Sequence, residues 1–144
     1  MVERTVRQII EGQEPITAPA GIMVKEAALL MRQHNIGALM VVEDGKLCGI
    51  FTERDALFRV LAEGRDPVTT PLDAVLTRNP QTIAPDCAFD TALRMMHDGR
   101  YRHLPVVDDG RVLGMVSVRD ALGPELEHFV YEMLREEQIQ QVLA

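Results

Sequence analysis

Apolar and polar positions follow two rhythms along this chain. Between Met23 and His34, Ala27, Leu30 and Met31 recur at spacings of three and four. That period describes a helix with one face turned to a core. Ala92, Met95 and Met96 repeat the pattern between Ala88 and Asp98. Each predicted helix is followed by two strand-like runs, Ala38–Val42 with Leu47–Phe51, and His103–Val107 with Val112–Val116. Asp44-Gly45 and Asp109-Gly110 separate the members of each pair. They predict tight hairpins, because glycine adopts positive φ at little cost. A second helix is expected to open at Thr52, and another at Ser117. Upstream lie apolar segments, Val6–Ile10 and Leu72–Leu76, each leading into an extended stretch that ends at proline, Ile16–Pro19 and Gln81–Pro85.

These elements are two copies of one unit. Displaced by 65 positions, the sequence meets itself: Gly45 falls on Gly110, Gly49 on Gly114, Val41-Val42 on Val106-Val107, and Arg54-Asp55-Ala56-Leu57 on Arg119-Asp120-Ala121-Leu122. Thr17-Ala18-Pro19 resembles Ile83-Ala84-Pro85 after one inserted residue. The element order is β-α-β-β-α, twice. About 65 residues is near the lower limit for a self-sufficient core. The expected fold is therefore α/β (α+β), with two repeats packed sheet to sheet in pseudo-twofold symmetry. Residues 1–62 form the first repeat, 63–71 a linker with Gly64, Pro67 and Pro71, and 72–122 the second repeat. Residues 123–144 follow as an amphipathic helix. It is announced by Gly123-Pro124 and striped by Leu126, Phe129, Val130, Met133 and Leu134. The stripe must dock on the body or on a second subunit.

Composition narrows the partners. Of 144 residues, 47% are hydrophobic and 26% charged, ordinary values for a globular chain. There is no Trp and there are only two Tyr and four Phe, so the core is aliphatic. Fifteen Lys and Arg against 22 Asp and Glu leave a net charge of −7. That balance disfavours a phosphate polymer or an anionic membrane surface as partner. It leaves room for a small anion held by local cations. The longest apolar runs are far shorter than the ~20 residues of a membrane span. Met1-Val2-Glu3-Arg4 lacks the apolar core of a signal peptide, so a cytoplasmic location is expected.

The chemistry concentrates in Gly49-Ile50-Phe51-Thr52-Glu53-Arg54-Asp55 and Gly114-Met115-Val116-Ser117-Val118-Arg119-Asp120. Two readings apply. Thr or Ser followed three residues later by an acid is close to a capping box and can serve only to start a helix. The same geometry also suits a ligand. A helix N-terminus after a strand offers free N–H groups and a positive dipole end. Arg54 or Arg119 supplies a guanidinium for phosphate oxygens. Thr52 or Ser117 supplies a hydroxyl, and Asp55 or Asp120 is an acceptor suited to a vicinal diol. Together these describe a nucleoside phosphate. Gly49 and Gly114 keep a strand bare where a ligand or another strand approaches.

The paired Gly-x-x-Thr/Ser-x-x-Asp motifs, the Val-Val-x-Asp-Gly hairpins and Arg102-His103-Leu104-Pro105-Val106 resemble a tandem cystathionine β-synthase (CBS) domain pair, of the small stand-alone bacterial signal-transduction type. The resemblance spans about residues 1–122. It implies a regulatory sensor, not an enzyme. Its ligand would be an adenine nucleotide (AMP, ADP, ATP or NAD) or S-adenosylmethionine, in two clefts between the repeats. It also implies assembly as a homodimer and no obligatory cofactor. Carried over by position, Asp55 and Asp120 hold ribose hydroxyls, Thr52 and Ser117 line the ribose and phosphate region, and Arg54 and Arg119 lie near phosphate. Ile36-Gly37-Ala38 and Tyr101-Arg102-His103 contact base or phosphates, while Ala18 and Ala84 flank the adenine. Gly37-Ala38 stands where the second repeat has Arg102-His103. The clefts are therefore unequal, and the one nearer Arg102 and His103 favours more phosphate.

The remaining candidates carry less. The four histidines, His34, His97, His103 and His128, form no H-x₃-H or HExxH pattern, so no metal site is expected. Cys48 aligns with Leu113 and Cys87 with Ile22, both apolar positions. Arg100-Tyr101-Arg102-His103 is a basic knot that the net charge assigns to a small anion. No nucleophile elbow or P-loop occurs. Two alternatives to the sensor stay open. One is a ligand-free dimerisation or interaction module acting on an unidentified regulated protein. The other is a nucleotide-processing enzyme.

Overall fold

The structure, a computed structural model, describes residues 3–143; Met1, Val2 and Ala144 lie outside the described residues. The first repeat runs through α1 (Val6–Ile10), β1 (Thr17–Ala18), α2 (Val24–His34), β2 (Ala38–Glu43), β3 (Lys46–Thr52) and α3 (Glu53–Asp55). Helix α3 continues as a wider, π-wound stretch, Ala56–Leu61. After a 3₁₀ turn at Leu72–Ala74 come β4 (Thr77–Arg78), α4 (Phe89–Gly99), β5 (His103–Asp108) and β6 (Arg111–Ser117). A 3₁₀ turn at Val118–Asp120 and α5 (Gly123–Leu143) complete the chain. Helices α2, α4 and α5 and strands β2, β3, β5 and β6 appear within one or two residues of their expected limits.

The hairpins form as their turns require. Asp44-Gly45 and Asp109-Gly110 both take positive φ, 52° and 77° in the first pair, 52° and 80° in the second. Strand β1 runs parallel to β2, with Thr17 opposite Met40. Its counterpart in the second repeat is a single parallel bridge, Ile83 opposite Val106. The two hairpins meet at one antiparallel position, Lys46 opposite Arg111. The sheet order is thus β1-β2-β3-β6-β5, with β4 also on β3.

Packing crosses the repeat boundaries. The first core gathers Ala27, Met31, Leu39, Val41 and Phe51, and is closed by Leu72, Val75 and Leu76 from the segment that opens the second repeat. The second core gathers Phe89, Leu93, Met96, Leu104 and Val116, and is closed by Val6 and Ile10 of α1. Each opening segment therefore serves the other half, a trade that local periodicity cannot show. Backbone hydrogen bonds fix both crossings. Leu72 N donates to Ile22 O at 2.8 Å and Val6 N to Cys87 O at 2.9 Å. Both cysteines are free and half-buried beside these cores, where apolar residues were expected.

The crossing explains the two strand glycines. A Cβ on Gly49 would lie 2.8 Å from the Thr77 carbonyl oxygen, and one on Gly114 would lie 3.1 Å from Ile10 Cβ. The close approach is by the exchanged chain, not by a ligand. Beside Gly49, β4 pairs through its backbone, Gly49 opposite Arg78. Beside Gly114, the Gln13 side-chain amide does the same work. Its Nε2 donates to Met115 O at 3.1 Å and its Oε1 accepts from Met115 N at 3.2 Å.

The helix expected after Ser117 is a correction. Thr52 leads into nine helical residues, but Ser117 leads only into the turn Val118–Asp120, after which Ala121 is extended (ψ 129°). Pro124 has no N–H to give the Asp120 carbonyl four residues earlier, so a continuous helix is blocked there. Arg4 Nη2 donates to that carbonyl instead, at 2.8 Å. Helix α5 then starts afresh, held by the ion pair of Glu125 with Arg4 and of Glu136 with Arg94 at 2.7 Å. Its stripe docks only in part: Phe129 packs on the second core, whereas Leu126, Val130 and Leu134 stay exposed.

Gly49→Ala is expected to lower stability by about 1–3 kcal/mol, because the added carbon forces β4 outward from a packed position. Urea denaturation checks this. An unchanged midpoint would show that β4 does not bear on Gly49.

Candidate functional site

The exchanged segments create two clefts related by the repeat. In the first, of 570 Å³, the motif Thr52–Asp55 faces Asn79, Pro80 and Gln81 and the stretch Arg100–His103. In the second, of 340 Å³, Ser117, Arg119 and Asp120 face Glu14, Pro15 and Ile16, and Asn35, Ile36 and Gly37. The same 65-residue displacement relates the two linings, and each cleft takes residues from both repeats. A groove of 460 Å³ joins them. It is lined by Arg32, Arg102, Arg119 and His103, with Glu53 and Ser117.

Both motifs are capping boxes. Thr52 Oγ1 accepts from Asp55 N at 3.1 Å, and Thr52 N donates to Asp55 Oδ2 at 3.0 Å. Ser117 N donates to Asp120 Oδ2 at 2.7 Å. Neighbouring amides are also taken: Glu53 N donates to Gly37 O at 3.0 Å and Val118 N to Arg102 O at 3.2 Å. The expectation of free N–H groups at two helix ends is thus corrected. After Ser117 there is no helix to supply a dipole, and at Thr52 the amides of Glu53 and Asp55 are taken by Gly37 O and the cap. Attraction for an anion rests on guanidinium groups.

The carboxylates differ. Asp55 is buried, accepts from Thr77 Oγ1 at 3.1 Å, and faces Arg59 Nε at 3.5 Å. Asp120 is half-exposed, and its second oxygen accepts no hydrogen bond among the described residues. The reason lies in the register: Gly12 stands where the first cleft has Thr77.

The cations differ as well. Arg54, Arg100 and Arg102 line the first cleft, and none of them forms an ion pair among the described residues. Arg54 lies 5.2 Å over the Phe58 ring. Arg100 ends α4 in the left-handed region, φ 57°, where the first repeat uses Asn35 at φ 51°. Asn tolerates that conformation better than Arg. Tyr101 bonds Gln81 through its hydroxyl, and burial, with Asp98 nearby, raises its phenol.

Of the expected contact residues, the structure brings Thr52, Arg54, Asp55, Tyr101, Arg102 and His103 together in the first cleft, and Ile36, Gly37, Ser117, Arg119 and Asp120 in the second. It does not bring Ala18, Ala38 or Ala84 to either. Ala18 and Ala38 are buried, and Ala84 is exposed on the loop before α4. The residues that sequence reasoning missed are Glu14-Pro15-Ile16 and Asn79-Pro80-Gln81; Arg100, noted only as part of a basic knot, lines the first cleft. Their signal was Pro15 falling on Pro80 without any insertion. Among the described residues, no group of three or more His, Cys, Asp or Glu is placed to hold a metal, and no helix is long and apolar enough to cross a membrane.

With this geometry in hand, comparison with known proteins is direct. The family model described as CBS domain matches residues 6–62 and 72–124. The mitochondrial CBS domain-containing protein CBSX3 of Arabidopsis thaliana is 38% identical over 117 residues, 78% of this chain. The chain spans 57% of that relative and 22% of another, longer Arabidopsis relative. A CBS-domain protein from Burkholderia ambifaria MC40-6 superposes with a TM-score of 0.77 at 32% identity, covering 81% of this chain and 90% of its own. The CBS domain pair of protein MJ0100, solved with methylthioadenosine and S-adenosylmethionine, superposes with a TM-score of 0.75 at 34% identity, covering 83% and 93%.

His103 lines both clefts and the groove. Burial lowers its imidazole below the ordinary 6.5; Glu53 opposes this, and Arg102 and Arg119 reinforce it. Between the lowered value and 6.5 the unfolded chain binds more protons than the folded one, so stability rises with pH across that window and levels off above it. In His103→Gln that slope is expected to vanish. Urea midpoints of both proteins from about pH 5 to 8 check it, and parallel profiles would contradict it.

Proposed function

The chain belongs to the CBS-domain family, and from that premise we propose that it is a regulatory module binding an adenine nucleotide (AMP, ADP, ATP or NAD) in clefts built from both repeats. The observation that carries this reading is the first cleft. It sets Arg54, Arg100 and Arg102 without ion-pair partners around a space of 570 Å³. Guanidinium forks match phosphate oxygens, and a cavity of this size holds a nucleotide. The related MJ0100 pair, which holds two adenosyl compounds, supports an adenine nucleoside as the core of the ligand.

Regulation follows from where the lining comes from. Thr52–Asp55 belong to one repeat, and Asn79–Gln81 and Arg100–His103 to the other. A ligand touching both fixes their relative position. It acts on an unidentified protein partner only through differential affinity for two arrangements. Asp55 and Asp120 line different clefts, so they are not an acid–base pair on one substrate. A second reading, a ligand-free interaction module, is favoured by the two capping boxes, which account for both motifs without a ligand.

Calorimetric titration with AMP, ATP and NAD separates the two. Heat and a thermal shift with one of them are expected, both lost in the Asp55→Ala/Asp120→Ala double variant. That variant also loses about 0.5–2 kcal/mol of stability per cap. No heat with any nucleotide, or undiminished affinity in the variant, would leave the interaction module as the reading.

We propose further that the chain is a homodimer. Leu57, Phe58 and Leu61 on one side, and Leu126, Val130 and Leu134 on α5, remain exposed on the single chain. Light scattering is expected to give twice the 16.1 kDa chain mass, and the single mass for Val130→Glu/Leu134→Glu. A dimer that survives this change would place the contact elsewhere.

A further inference from the structure

Two clefts of common origin have drifted apart, and five of the differences change charge or polarity at or beside their walls. Along the 65-residue register, the first cleft has Thr77, Asn79, Gln81, Arg100 and Arg102 where the second has Gly12, Glu14, Ile16, Asn35 and Gly37. The first therefore presents three guanidiniums against Glu53 and Asp55, and Asp55 is already answered by Arg59 and Thr77. The second presents Arg119 against Glu14 and Asp120, with Ile16, Met40 and Met115 as apolar wall. Four of the five changes remove positive charge, add negative charge, or remove a donor to the carboxylate, and the fifth, Gln81 to Ile16, replaces an amide with an apolar side chain.

The groove between them carries one set of cations, not two. Arg32, Arg102 and Arg119 face a single space, opposed by Glu53, and His103 borders both clefts. A polyphosphate tail entering from the first cleft occupies that set. A second tail from the other side meets a like charge at short range. The second cleft retains something the first has lost, an aspartate with an open oxygen. Asp55 spends its acceptors on Thr52 N, Thr77 and Arg59, while Asp120, with Gly12 at the register position of Thr77, keeps its second oxygen free for a diol.

We propose that the two clefts take different ligands: a nucleoside polyphosphate in the first cleft and groove, one per chain, and in the second a nucleoside whose 5′ substituent carries no net negative charge. This rests on the nucleotide reading above and assigns its two sites. Glu14 is the residue that turns polyphosphate away from the second cleft. Asp120 is the residue that holds the ribose there.

The full chain is titrated with ATP, then the ATP-saturated protein with adenosine and, separately, with S-adenosylmethionine. One ATP per chain is expected, followed by one adenosine or S-adenosylmethionine that does not displace it. Arg100→Asn, which installs the first repeat's own residue, is expected to weaken ATP by about tenfold or more, the worth of one charge-assisted hydrogen bond. Asp120→Asn keeps the cap acceptor and is expected to weaken adenosine on the ATP-loaded protein by a similar factor. Glu14→Asn is expected to admit a second ATP. Two equivalent ATP sites in the native chain, or adenosine that competes with ATP for one site, overturn the division while leaving nucleotide binding intact. Absence of heat with ATP and adenosine alike removes the nucleotide reading itself.

Discussion

The structure depends on a reciprocal exchange of core-closing segments. Neither half contains all the apolar surface that its sheet requires. Leu72, Val75 and Leu76 close the first core and Val6 and Ile10 close the second. A half of about 65 residues buries too little surface to stand alone, so the trade makes each half a condition of the other's folding. It also sets what the backbone tolerates. Gly49 is glycine because the traded backbone lies 2.8 Å from where its Cβ would stand, and at Gly114 Ile10 leaves a Cβ only a tight 3.1 Å.

The same exchange builds the clefts. Having crossed over Gly49, the chain continues into Asn79-Pro80-Gln81, which it sets beside Thr52–Asp55. Having crossed near Gly114, it sets Glu14-Pro15-Ile16 beside Ser117–Asp120. A side chain at either place thus reports on the docking of the two halves. A ligand there adds its contacts to an interface the fold already needs, and ligand binding and the relation of the halves are linked through one set of contacts.

Much of this was legible in the sequence, for identifiable reasons. Hairpins and the helices α2 and α4 are local, set by Asp-Gly turns and by spacings of three and four, and they stand where the pattern placed them. The duplication revealed the motifs and the inequality of the clefts. The crossing of α1 was not legible, because an apolar run such as Val6–Ile10 does not say which core it enters. The cleft walls were missed for a related reason. Aligning Pro19 with Pro85 through an insertion drew attention to Ala18 and Ala84, whereas Pro15 and Pro80, in strict register, mark the walls. The helix after Ser117 was over-predicted. Its cap matches that of Thr52, but a cap governs only the first turn, and Pro124 decides the next.

That proline shows how a duplicated unit comes to differ without losing its frame. By withholding one N–H, Pro124 frees the Asp120 carbonyl, and Arg4 bonds to it while pairing with Glu125 at the head of α5. Arg4 also stacks on Phe89, 5.6 Å from the ring, where α4 begins. One side chain from the start of the chain thus ties together the second motif, the second core and the terminal helix. Pairing with Arg4 holds the Glu125 carboxyl below its ordinary range, so the tie weakens only in acid. The first repeat needs no such device, since Thr52 leads into nine continuous helical residues whose exposed side carries Leu57, Phe58 and Leu61. Asymmetry in the scaffold and asymmetry in the clefts therefore have the same origin. The exchange fixes the positions that must match, Gly49 with Gly114 and Thr52 with Ser117, and leaves the positions lining open space to diverge.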